Sequence, residues 1–156
     1  MKRVNNIFSR KSSPGVRERG AIAVEYAMML PFLVICFVTI IDLGLVIHEY
    51  QILQNAAREG ARFSSLPRNQ ISPLNPTASV NLIKQRVMDY CAGGNITVPL
   101  ADITVSQQHP ITVGALTVMG SEVTISYTRP FLIAGAPFFP VGDVVLSGRS
   151  VFRNFY

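Results

Sequence analysis

The chain has 156 residues, of which 49% are hydrophobic and only 15% are charged, a composition typical of a membrane anchor joined to one small domain rather than of a wholly soluble protein. Residues 1–20 hold six basic residues and one acidic residue, and this basic leader accounts for the whole formal charge of +5, because eight basic and eight acidic residues balance in the rest. No basic face is therefore expected on the folded part, and nucleic acid is not expected as a partner.

Residues 21–47 form a predicted membrane-spanning helix. Only Glu25 and Asp42 are charged in this run, which at ~1.5 Å per residue extends about 40 Å and can cross a bilayer. Short basic segments beside a span stay in the cytoplasm, so the leader predicts a cytoplasmic N-terminus and an exported remainder. A secretory signal peptide is the alternative, although its apolar core would be shorter and would lack an acid. Pro31 removes a backbone hydrogen bond and predicts a kink within the span.

Glu25 is the chemically unusual residue of the span, because an ionisable group inside a membrane is costly and marks a function by default. No basic residue lies within the span to pair with it. If the chain were cut between Gly20 and Ala21, a new α-amino group would lie one helical turn before Glu25. This amine could neutralise the carboxylate within one chain or between neighbouring chains. The alternative is that Glu25 reaches the cytoplasmic headgroups by snorkelling.

The helix is expected to continue beyond the membrane as a stalk, so that residues 21–63 comprise span and stalk together. Apolar residues keep helical spacing after Asp42, and no proline occurs before Pro67. Within the stalk, small residues four apart form a smooth face that another helix or a sheet can approach closely. This packing box is predicted to contact either the chain's own exported domain or a partner subunit. Its residues are Ala56, Ala57, Arg58, Glu59, Gly60, Ala61 and Arg62.

Residues 64–76 have the proline, serine and asparagine content of a linker. Asn75 followed by Pro76 resembles a helix N-cap with proline at the first helical position, and Gly93 and Gly94 provide a stop. An amphipathic helix of about four turns is predicted between them. Its apolar face is predicted at Val80, Ile83, Val87 and Tyr90.

The remaining sequence alternates between apolar and polar residues, which predicts strands at residues 103–105, 123–127 and 143–152. A further strand with a turn at Gly120 is expected between the first two, and His109 is expected in a turn before Pro110. Residues 129–143 should form a long loop. The predicted fold class is α+β: a long N-terminal transmembrane helix and stalk, then an exported head, residues 77–156, with one amphipathic helix packed on an antiparallel sheet of three to four strands.

The residues from Arg19 to Arg62 resemble a known family. Gly20 followed by AIAVEY, with Glu25 fifth and Tyr26 sixth after the glycine, is similar to the processing motif of type IVb prepilins. The wider run, from RGAIAVEYAMMLPFLV to QNAAREGARF, resembles the TadE-like pseudopilins of the tight-adherence (Flp/Tad) pilus system of bacteria. Beyond Arg62 the likeness is one of layout only, a helix followed by strands.

This resemblance implies cleavage after Gly20 by a prepilin peptidase on the cytoplasmic side, with Ala21 as the mature N-terminus. It assigns Glu25 and Tyr26 to recognition and assembly. The implied partners are the peptidase, other pilins and pseudopilins, and inner-membrane pilus assembly proteins. The implied location is the bacterial inner membrane, with the head in the periplasm, whether the subunit stays there or enters an extracellular pilus. Major Flp pilins have almost no head, so the exported domain favours a minor subunit needed for pilus assembly, adhesion or surface colonisation.

An enzyme is not expected, and neither is a cofactor or a metal. His48, His109, Cys36 and Cys91 have no metal-ligand spacing, and the sequence holds no nucleophile elbow or phosphate loop. A membrane-anchored binding module that is never cleaved is the main alternative to a pseudopilin, and a membrane-tethered enzyme is a third class. The mature N-terminus separates the first two, because Ala21 indicates a pseudopilin and Met1 indicates an uncleaved anchor.

Overall fold

The computed structural model describes residues 16–67, 76–132 and 142–154, with side chains described from Gly20 and, after the first gap, from Ser79. A 3-10 turn at Leu100–Asp102 precedes the first strand. The long apolar helix, the shorter helix and the antiparallel sheet confirm the predicted α+β fold class. The helices and strands are α1 (Val16–Ser64), α2 (Pro76–Gly93), β1 (Ile103–Val113), β2 (Leu116–Arg129) and β3 (Val144–Arg153).

The chain divides into two compact units, residues 1–39 and residues 40–156. Helix α1 contributes to both units, and it remains helical on both sides of Pro31. Among the described residues, α1 is the one helix that is long and apolar enough to cross a membrane. The length and apolar surface of this helix suit a membrane anchor, which agrees with the composition of the chain.

The sheet of the second unit has the strand order β1-β2-β3, with both neighbouring pairs antiparallel. The predicted turn at Gly120 is wrong: the chain reverses at Gly114, which has a φ of 64°, and Gly120 lies inside β2. A Cβ at Gly120 would overlap the Ile111 side chain, so this glycine serves close packing within the sheet and not a turn.

The predicted position of His109 is also wrong, because this residue lies within β1 and not in a turn. Ser106 pairs with Glu122 and His109 pairs with Gly120, so the two residues Gln107 and Gln108 stand opposite one residue of β2. This irregularity is a β-bulge, which moves His109 to the face of the sheet that carries Glu122.

The core lies between one face of the sheet, α2 and the part of α1 after residue 45. The helical spacing predicts Tyr90 on the buried face of α2, but this residue is 44% exposed. Cys91 takes its place, since Ile83, Val87 and Cys91 follow one another at intervals of four and all are fully buried. The expected N-cap, Asn75, and most of the expected long loop fall outside the described residues.

Candidate functional site

The motif around the expected cleavage position lies on the exposed surface of α1 within the first unit. Every described residue from position 20 to position 34 is exposed, including Gly20, Ala21, Glu25 and Tyr26. Because α1 is already helical from Val16, a peptidase acting between Gly20 and Ala21 must first unwind this turn. A glycine lowers the cost of unwinding by about 1 kcal/mol relative to alanine.

Glu25 is surrounded by exposed apolar side chains such as Ile22, Met29 and Leu33. Among the side chains that the structure describes, none forms a hydrogen bond or an ion pair with it. The hydroxyl of Thr39, by contrast, donates a hydrogen bond to the carbonyl oxygen of Ile35 at 2.9 Å, so its donor is satisfied within the helix. Glu25 is therefore the charged group among the described side chains of this segment, and it requires a partner from outside the described chain if lipid surrounds it.

The packing box is buried against other elements of the second unit. Ala56, Ala57 and Ala61 are fully buried. A Cβ at Gly60 would overlap Val87 of α2 and would lie 3.4 Å from Val123 of β2. Of the two partners that the sequence left open, the head of the same chain is the one in contact.

The charged members of the box lie at the rim of this contact. Arg58 and Arg62 are exposed, whereas Glu59 forms an ion pair with Arg86 of α2 at 3.1 Å. The Arg86 guanidinium also lies 6.0 Å from the ring centroid of Phe63. The small residues thus permit close approach of the helices, and Glu59 links α1 to α2 beside them.

A buried ion cluster at the start of the second unit is the feature that the sequence pattern missed. Asp42 is 1% exposed, and its Oδ1 lies 2.9 Å from Nη1 of Arg129, at the end of β2. Nε of Arg129 lies 3.0 Å from Oε2 of Glu49. These two contacts are ion pairs rather than well-aligned hydrogen bonds. The main-chain N–H of Leu132 donates to the other oxygen of Asp42 at 2.9 Å.

The cluster changes the interpretation of Asp42, which the sequence pattern placed inside the membrane span. Asp42 and Glu49 are seven residues apart, two helical turns, so they share one face of α1. The spacing of these two acidic residues is visible in the sequence, but Arg129, the cation that pairs with both, is distant along the chain. The span that remains, residues 21–41, is about 31 Å long at ~1.5 Å per residue, which matches the ~30 Å hydrocarbon thickness of a bilayer.

A second charged cluster lies on the opposite face of the sheet. Glu122 of β2 is contacted by Nδ1 of His109 at 2.8 Å and by Nε of Arg149 from β3. This cluster links β1, β2 and β3, and it includes no nucleophile. Within the described ranges, no group of three His, Cys, Asp or Glu side chains is placed to hold a metal ion.

The two cysteines are free, Cys36 on the exposed surface of α1 and Cys91 in the core. Burial raises the pKa of the Cys91 thiol, so this side chain remains neutral and behaves as a small apolar group.

Comparison with known proteins shows a family similarity for the long helix. Residues 20–62 match the family model described as TadE-like protein. No curated protein and no solved structure gives a significant match to the chain. The matched segment begins at Gly20 and ends with the packing box, so it includes Glu25, Pro31 and the buried contact with the head. Residues 20–62 are therefore TadE-like, as their motifs predict, and this similarity together with the apolar helix suggests a membrane-associated protein of the Tad pilus.

Proposed function

We propose that this protein is a minor pseudopilin, a structural component of a bacterial tight-adherence (Flp-type IVb) pilus that is needed for pilus assembly and surface adhesion. The observation that carries the proposal is the TadE-like segment itself, which starts at Gly20 and places Glu25 on an exposed apolar helix. TadE-like pilus proteins are structural rather than enzymatic. The buried box and the ion cluster serve the fold of the head, which also favours a structural role over a chemical one.

Processing by a prepilin peptidase between Gly20 and Ala21 is part of this proposal. The basic leader supports a cytoplasmic N-terminus, because residues 1–20 carry six basic residues against one acidic residue. A cytoplasmic leader places the second unit outside the inner membrane, in the periplasm. The peptidase, other pilins and pseudopilins, and inner-membrane assembly proteins are then the partners of the chain.

Glu25 has a specific role in this proposal, which is to pair with the α-amino group of Ala21 on a neighbouring subunit. Glu25 is four positions after Ala21, which corresponds to a rise of about 6 Å along the helix, so a small axial offset between two subunits brings the groups together. Each group compensates the charge of the other where lipid excludes water, and their pairing specifies the register of the subunits. Within one chain, no described side chain forms a hydrogen bond or an ion pair with Glu25, which supports this role.

Two substitutions of Glu25 test the proposal. Glu25→Ala and Glu25→Gln should still be inserted and cleaved, but both should fail to restore pili in a deletion strain, because neither retains the charge that a buried ammonium requires. Loss of one partner from a buried pair costs about 3–5 kcal/mol. Thr39→Ala is the matched control, since the Thr39 hydroxyl bonds only within its own helix, and it should restore pili fully.

The measurement is the number of pili and the co-purification of pilus components with each variant. Normal piliation by both Glu25 variants would show that Glu25 reaches the headgroups by snorkelling and that the proposed pairing is wrong.

A further inference from the structure

We propose that the head rests on the bilayer through the end of the second unit that holds the Asp42 cluster, with Leu132 and Val145 inserted into the lipid interface. The occupant of this surface is lipid, at the headgroup and upper acyl-chain level. The inference rests on the membrane anchoring in the proposed function and goes beyond it, because an anchored head on a free stalk need not touch the membrane.

The first support is the way in which the chain after β2 is fastened to α1. Arg129 ends β2 and pairs with Asp42, and Leu132, three residues later, donates its main-chain N–H to the same carboxylate. Asp42 is the third residue of the second unit. The turn after β2 is therefore held beside the point where the membrane span ends, at residue 41.

The second support is exposed apolar surface at that place. Leu132 is 62% exposed and Val145 is 66% exposed. Val145 stands opposite Thr128, next to the Arg129 position. On α1 itself, Ile40, Ile41 and Leu43 are also exposed. Ile40, Ile41 and Leu43 adjoin the span along the chain, whereas the carboxylates of Asp42 and Glu49 are turned inward and paired with Arg129.

The third support is the direction of the helix along the sheet. Asp42 contacts Arg129 at one end of β2, and the Ser121 hydroxyl lies 3.1 Å from the carbonyl oxygen of Ser64 towards the other end. Helix α1 therefore runs antiparallel to β2. Ser64 is 22 positions after Asp42, which corresponds to roughly 33 Å along α1. The β1–β2 turn with Leu116 lies beyond Ser121 in the same direction, so it is at the end of the sheet opposite the Asp42 cluster.

Insertion should be shallow. Asp143 is exposed and lies two residues before Val145, and its carboxylate would remain at the level of the headgroups. Transfer of leucine and valine side chains out of water is favourable, whereas the neighbouring Asp143 carboxylate opposes deeper insertion into the hydrocarbon centre.

Tryptophan fluorescence tests this inference, because the chain contains no tryptophan and each introduced one is a unique reporter. The full chain is placed in phosphatidylcholine vesicles whose acyl chains are brominated, either near the headgroup or near the chain end. The variants are Leu132→Trp and Val145→Trp at the proposed contact. Leu116→Trp is the matched control, since Leu116 is a leucine that is 72% exposed at the opposite end. Phe32→Trp reports on the span.

We expect the indole fluorescence of Leu132→Trp and Val145→Trp to be quenched several-fold more than that of Leu116→Trp. Bromines near the headgroup should quench these two contact variants more strongly than bromines near the chain end. The span variant, Phe32→Trp, should show the reverse depth preference. The use of two contact positions keeps the test decisive if one variant does not fold.

Three results would overturn the inference. Quenching of both contact variants as weak as that of Leu116→Trp, with Phe32→Trp quenched, would show an anchored head that does not touch lipid. Blue-shifted but unquenched fluorescence from Leu132→Trp would show that a second copy or another protein covers this end. Unquenched fluorescence from Phe32→Trp would contradict membrane anchoring itself, and with it the proposed function.

Discussion

Arg129 is the residue that fastens the end of β2 to α1, because its one guanidinium serves two carboxylates of that helix. Its side chain is 9% exposed, and both Asp42 and Glu49 depend on it for a counter-charge. Formation of a buried cluster adds little net stability, since the charges lose their hydration. Removal of one member is costly, because the remaining charges stay buried without compensation.

Arg129→Met should therefore destabilise the head by about 3–5 kcal/mol. Arg149→Met is the matched control, because Arg149 pairs with Glu122 at a side chain that is 61% exposed. Pairs at such positions contribute at most about 1 kcal/mol. The measurement is thermal unfolding of the full chain in detergent, followed by circular dichroism. Equal losses in the two variants would show that the Asp42 cluster is not a buried unit.

Gly60 tests the packing box in the same way. Gly60→Val should lower stability by roughly 1–3 kcal/mol, because its side chain must displace Val87 from a filled core. Gly44→Val in the same helix has open space around its Cβ and should change stability far less. The two melting temperatures are compared in one detergent. A Gly60 variant as stable as the Gly44 variant would mean that α1 does not pack on α2 at the box.

At the scale of elements, the helices were predictable because their signals are local. Apolar periodicity, Pro76 at the start and Gly93 at the end define α2 within the sequence itself. The bulge at Gln107 and Gln108 was not predictable, because it depends on how β1 pairs with β2. An unrecognised bulge reverses the facing of every later residue in the strand, so the alternation does not extend to His109, which the sequence analysis assigns to a turn before Pro110.

Asp42 escaped prediction for the same reason. Its partner, Arg129, is distant in sequence, and hydropathy alone places Asp42 with the apolar residues around it. The packing box, by contrast, is predictable as a surface from its spacing, but only the folded chain shows what covers it. Tyr90 illustrates a smaller error: it lies beside the Ile83, Val87 and Cys91 row, and it is partly open to solvent instead.

The end of α2 provides a test through the thiol of Cys91. In a Cys36→Ala background, Cys91 should react with iodoacetamide only after denaturation, because it is fully buried. Tyr90→Cys in the Cys36→Ala/Cys91→Ala background places a thiol one residue away at an exposed position, and it should react at once. Mass spectrometry counts the adducts. Rapid alkylation of native Cys91 would contradict the packing of α2.

The same thiol predicts a pH dependence. Burial raises its pKa, so above about pH 8.5 the unfolded chain loses this proton while the folded chain keeps it. The free energy of unfolding should therefore fall as the pH rises. Cys91→Ala in the Cys36→Ala background cannot ionise and should lose less stability than its Cys36→Ala parent between about pH 8 and pH 10. Identical losses would show that the thiol is accessible to water.

At the scale of the whole molecule, the two units differ in the surfaces that they expose. The first exposes apolar side chains that require lipid or neighbouring helices, and among its described side chains Glu25 is the charged one, with no hydrogen bond or ion pair to another described side chain. The second pairs its buried acidic groups internally, since Asp42 and Glu49 both contact Arg129. This division is compatible with the proposed pilus subunit, in which the exposed N-terminal part of α1 would contact other subunits while the head packs on the rest of α1.

The N-terminal mass of the mature protein tests the central claim most directly. The protein is purified from membranes of cells that make the prepilin peptidase, and its N-terminal peptide is measured by mass spectrometry. We expect Ala21 at the N-terminus of the natural protein and Met1 in the Gly20→Val variant, because a branched side chain at the cut position obstructs the peptidase. Met1 on the natural protein would contradict the account and indicate an uncleaved membrane-anchored binding module.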